Sequence, residues 1–114
     1  MTKRDFNKFK KYFKAEQKRL NLAQYTTTFK LVKIPDAWAF IEADAEGCIA
    51  TVSVSSTAEW TDEMIRTTAL HEALHLSLAG LREIALRRCI NEDEWQNAEE
   101  SHVCVMERII ECTG

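Results

Sequence analysis

The chain has 114 residues, 46% of them hydrophobic and 29% charged, and a net charge of −3. That length supports one domain around one modest core, and no apolar run approaches the length that spans a bilayer. The Lys-rich start lacks the apolar stretch of a secretory signal, so residues 1–114 read as a single cytoplasmic domain with no membrane partner. Cys48, Cys89, Cys104 and Cys112 form no CxxC pair, and the expectation is four reduced thiols.

Residues 1–23 predict a basic amphipathic helix packed on the domain. Phe6, Phe9, Phe13 and Leu20 recur at helical spacing. Residues 1–19 hold eight basic residues against two acidic ones, a net +6, while the remainder holds seven against sixteen, a net −9. The lysines are either a solvated face above the apolar stripe or an arm for nucleic acid or an acidic partner.

Residues 25–34, rich in Thr, Phe, Val and Ile, read as a strand that Pro35 ends. Residues 38–44 read as a second strand. Ala45, Glu46 and Gly47 suggest a tight hairpin turn with Gly47 at positive φ. Residues 48–55 alternate, with Cys48, Ala50, Val52 and Val54 on one face and Ile49, Thr51, Ser53 and Ser55 on a solvated one. The expected sheet is a three-stranded antiparallel meander, and the fold class is α+β.

Residues 56–60 lead into a helix that Thr61 can cap. Asp62 and Glu63 suit its positive end, and Gly80 is placed to stop it. Residues 81–90 add a further helical turn or two. Residues 92–111 form the last helix, with Asn91 and Glu94 as a capping pair. Its predicted core stripe is Trp95, Ala98, His102, Val105, Met106 and Ile109.

The chemistry concentrates in His71-Glu72-Ala73-Leu74-His75. Histidines at i and i+4 share one helix face, so two imidazoles reach one metal ion. Glu72 lies about 100° round the helix, near a water on that metal without being a ligand, and can take its proton. Leu70, Ala73, Leu74, Leu76, Leu78 and Ala79 make the segment apolar nearly all round, which buries it. A third ligand must come from elsewhere. His102, the only other histidine, is the first choice; Glu99 is the second, and Glu100 lies further off the predicted stripe.

A helix, a small sheet, an HExxH helix and a later helix carrying a ligand resemble a minimal zincin-type metallopeptidase. More narrowly, the chain is similar to small metallopeptidase-like chains of phages and prophages, whose Glu-rich last helix ends in a tail like Glu107-Arg108-Ile109 here. The metzincin extension is absent, because positions 78 and 81 are Leu78 and Leu81. The resemblance implies Zn2+ as cofactor, a protein or peptide substrate, and Glu72 as general base for peptide hydrolysis. A glutamate as third ligand, the gluzincin pattern, would favour Glu99. It also implies that a strand before the metal helix pairs with the substrate backbone, which by position is 48–55. The rival reading is a non-catalytic zinc-stabilised binding or regulatory module, with the basic helix on nucleic acid.

Overall fold

The computed structural model of the chain describes residues 1–88 and 90–113, with side chains as far as residue 111. Its elements are α1 (Lys3–Arg19), β1 (Thr26–Val32), β2 (Ala39–Asp44), β3 (Ile49–Ser55), α2 (Asp62–Ser77), α3 (Ala79–Arg87) and α4 (Glu92–Thr113). The class is α+β, as the periodicities imply.

Helix α1 starts where Thr2 Oγ1 accepts from the Asp5 amide at 3.1 Å. Phe9 and Phe13 are fully buried, and both rings meet Phe29 of β1 edge-on. Gln17 continues this buried stripe. It is only 6% exposed, and its amide donates to the carbonyls of Leu22 at 2.9 Å and Tyr25 at 2.7 Å. Asn21 then takes a left-handed φ of 60°, which turns the chain into the sheet.

The sheet is not a meander. Its strand order is β1-β3-β2, with β3 parallel to β1 and antiparallel to β2. Residues 33–38, with Pro35, carry the chain past one strand position, and β3 fills the gap. Burial explains why β3 takes the centre: Ala50, Val52 and Val54 are at most 1% exposed. The Ser/Thr face expected to meet water is largely covered as well. Ser53 sits between Lys30 and Phe40 in register, and both Ser53 and Ser55 are buried. In the turn before β3, the left-handed residue is Cys48 (φ 53°) and not Gly47. Gly47 is instead tucked against Asp44, whose Oδ1 accepts its amide at 3.1 Å; a Cβ there would lie 2.7 Å from Asp44 Oδ2.

One core joins α1 and α2 to the sheet through Phe9, Phe13, Val52, Val54, Ile65, Ala69, Ala73 and Leu76. A smaller cluster of Leu70, Leu74 and Val103 holds α4 against the other side of α2. Helix α2 thus lies between α1 and α4. It ends at Ser77, and Gly80 lies inside α3 rather than stopping α2. Cys48 and Cys104 are free thiols; Cys89 and the Cys112 side chain lie outside the described residues. No described helix is long and apolar enough to cross a membrane.

Candidate metal centre

Helix α2 begins as its sequence requires, with Thr61 Oγ1 accepting from the Met64 amide at 3.2 Å. Its apolar sides face the core and α4, which leaves Thr68, His71, Glu72 and His75 towards a cleft of about 530 Å3. The cleft is walled by residues 37–41 on one side and by Arg82, Glu83 and Leu86 of α3 and Glu99, Glu100 and Glu107 of α4 on the other. Arg82 is the one cation among these lining residues, and it pairs with Glu92 at 3.0 Å.

The two imidazoles meet at their Nε2 atoms, 3.2 Å apart. The Glu100 carboxylate closes the triangle, at 2.9 Å from His71 Nε2 and 3.0 Å from His75 Nε2. Among the described residues, His71, His75 and Glu100 are the group whose ligand atoms converge closely enough to hold one ion. Two nitrogens bound about 2.0–2.1 Å from a tetrahedral zinc lie about 3.3 Å apart, so the observed spacing suits that ion.

The other ring nitrogens are held too. His75 Nδ1 meets Glu99 Oε2 at 2.5 Å, and His71 Nδ1 meets Glu107 Oε1. Glu99 is itself steadied by the Trp95 indole, which donates to its Oε1 at 2.8 Å. A ring donating from Nδ1 to a carboxylate presents the Nε2 lone pair, the arrangement found where histidine binds metal. Each histidine therefore has one carboxylate behind it, and Glu100 stands in front of both.

Glu72 is 5% exposed. Burial pushes its carboxyl above the usual range, and the neighbouring His75 and His71 pull it back in part. Among the described residues no group donates a hydrogen bond to it. No fully buried side-chain oxygen or nitrogen among the described residues lacks a partner, so the Glu72 oxygens are not sealed from the cleft that the residue lines.

His102, expected on the core stripe, is exposed and stays outside this group. The face of α4 turned to α2 carries Glu99, Val103, Met106, Glu107 and Ile110, one helical step from the predicted stripe. Val105 and Ile109, expected in the core, are 47% and 52% exposed. Glu99 reaches the site behind His75 rather than at the convergence point, which Glu100 occupies. Glu107 was not anticipated at all. The spacing of Val103, Met106 and Ile110 offers the alternative stripe, which brings Glu99 and Glu107 onto the same side.

The strand along the cleft is β2, not residues 48–55. Strand β3 is paired on both edges. Ser55 N donates to Trp38 O, so residues 38, 40, 42 and 44 bond to β3. By antiparallel alternation, the amides and carbonyls of Ala39, Ile41 and Ala43 point outward along the cleft. The next outward amide, Ala45 N, donates to Glu83 Oε1 at 2.7 Å, which caps that edge.

No protein-family model, no curated protein and no solved structure matches this chain.

Proposed function

We propose that this protein is a metal-dependent peptidase. His71, His75 and Glu100 hold a divalent cation, zinc by its donor set, and Glu72 is the general base. The observation that carries the reading is the convergence of two Nε2 atoms and the Glu100 carboxylate beside Glu72 at an open cleft. Two imidazoles and one carboxylate are a donor set of catalytic zinc sites that keep a position open. Zinc held there would supply Lewis acidity, polarising a carbonyl and making water a nucleophile near neutral pH.

The chain's own groups do the rest. Glu99 and Glu107 fix the two rings. Glu72 takes a proton from the attacking water and returns it to the leaving amine. Burial raises its proton affinity, which suits a group that must carry that proton between the two steps. The free backbone groups of Ala39, Ile41 and Ala43 receive an extended peptide as an added strand, so the substrate is an unfolded or loop segment of protein.

A second reading has one observation in its favour. Among the described residues the apolar cluster that joins α4 to α2 is small, so a metal bridging the two helices would serve as a staple in a binding module. Glu72 separates the two readings, because a staple does not use it.

The test is elemental mass spectrometry on untagged protein, followed by cleavage of a quenched unfolded protein. About one zinc per chain is expected, lost with His71→Ala and Glu100→Gln and retained with His102→Ala. Zinc-free wild type after zinc is supplied would end the proposal. Zinc with no cleavage, or with Glu72→Gln cutting as fast as wild type, would leave the staple.

A further inference from the structure

We infer that the solvent face of α1 binds the phosphate backbone of duplex nucleic acid. The inference stands apart from the metal centre and uses none of its residues. Arg4, Asn7, Lys11, Lys14 and Lys18 are all exposed and follow one another at three- and four-residue spacings, which puts them in one line along the helix. At about 1.5 Å per residue the line runs about 21 Å. A duplex presents roughly a dozen phosphates over that length.

The cations on this line are held in no ion pair among the described residues, although the Arg4 charge also acts on Asp62. Among the basic residues of α1, Lys8 pairs with Asp62, Arg19 with Glu16, and Lys10 lies over the Phe6 ring. Lys3, Arg4, Lys11, Lys14 and Lys18 make no ion pair among the described residues. The two acids of the segment do not interrupt the line: Glu16 is bound to Arg19, and Asp5 sits in the first turn.

The chemistry of the face selects the partner. A helix that lies on a membrane needs its aromatic side outward, but Phe9 and Phe13 are buried in the core. A protein partner needs apolar anchors, and lysine is depleted at such interfaces; the exposed positions here are Lys, Arg, Asn, Thr and Ala. Bases of a single strand need aromatic platforms to stack on, and none stands on this line. What remains is a row of flexible point charges, suited to phosphates without sequence readout.

The charge layout sets the approach. Helix α4, on the far side of α2, carries seven acidic residues and one basic, a net −6. A polyanion is repelled from the cleft flank and drawn to the α1 flank, so bound duplex leaves the cleft open.

The experiment is fluorescence anisotropy of a labelled duplex with the full-length chain across about 50–200 mM salt. Two double variants of equal charge change are compared: Lys11→Gln/Lys14→Gln on the line, and Lys30→Gln/Lys33→Gln away from α1. Circular dichroism checks that each is folded. Wild type should bind saturably, with affinity falling steeply as salt rises. The α1 variant should bind about tenfold more weakly and lose about 2 from the log–log salt slope, as two phosphate contacts require. The other variant should stay within about twofold of wild type. No saturable binding at the low-salt end overturns the inference. So does equal loss in both variants, which would report net charge alone. Equal affinity for polyglutamate or for anionic phospholipid vesicles, lost with the same α1 variant, would reassign the face.

Discussion

Glu72 sits where a carboxylate is expensive to keep and cheap to neutralise. The amide of Glu72→Gln is isosteric and carries no charge into the buried position, so this variant should fold at least as well as wild type. It should bind the same amount of zinc and lose roughly 10²–10⁴-fold in kcat for peptide cleavage, the usual worth of a positioned base. Metal content and turnover measured on one preparation check both halves. Glu99 and Glu107 act one step further out, through the rings they hold. Glu99→Gln or Glu107→Gln should weaken zinc binding by about 10–100-fold without removing a ligand, and His102→Ala should not weaken it. Competition against a chelator of known affinity gives these constants. Equal affinity in all three variants would mean that the carboxylates behind the rings contribute nothing to the site.

Gln17 shows what an element demands beyond its pattern. It occupies the buried stripe of α1 because two carbonyls of the turn into β1, Leu22 and Tyr25, point at it and need donors. Gln17→Leu adds apolar surface but strands both carbonyls, and should cost about 1–3 kcal/mol in urea unfolding. Local signals of this kind are legible only in part. The caps at Thr61 and Asn91 were readable because each involves atoms within three residues; Asn91 Oδ1 accepts from the Asp93 and Glu94 amides as its position suggests. The strands were readable by composition, but their order was not. Order depends on which strand gains most from two neighbours, and the short link over 33–38 did not advertise that it passes one by. The phase of α4 had a similar ambiguity. Ala98, His102, Val105 and Ile109 repeat with the same spacing as Glu99, Val103, Met106 and Ile110. Apolarity alone favours the first set; only the carboxylates' fit to His71 and His75 favours the second. The HExxH pair was legible because its geometry is contained in one helical turn, and the carboxylate that faces both rings, Glu100, was not, because it depends on that phase.

At the scale of the whole molecule, the two hydrophobic clusters are unequal, and the proposed metal centre lies across the weaker junction. The main core joins α1, α2 and the sheet; α4 rests on Leu70 and Leu74 mainly through Val103, with Met106 and Ile110 at the margin. The other ties between α4 and α2 run through His71 and His75 to Glu99, Glu100 and Glu107. Three carboxylates crowded round the two imidazoles repel one another, and a divalent cation would relieve that repulsion. Zinc that binds the folded chain alone stabilises it by about 2.7 kcal/mol at a hundred times its Kd. Because the gain lies at one junction, removing the metal should loosen α4 before it unfolds the rest. Hydrogen exchange should therefore show α4 amides around Val103 losing protection on chelation, while β3 and the first half of α2 keep theirs. Glu100→Gln should reproduce that pattern with zinc present, since it removes the ligand proposed from α4. A uniform loss across all elements would place the metal's contribution in the main core instead. Unchanged protection in α4 would mean that Val103 and its neighbours hold the helix unaided, leaving the cation free for chemistry alone.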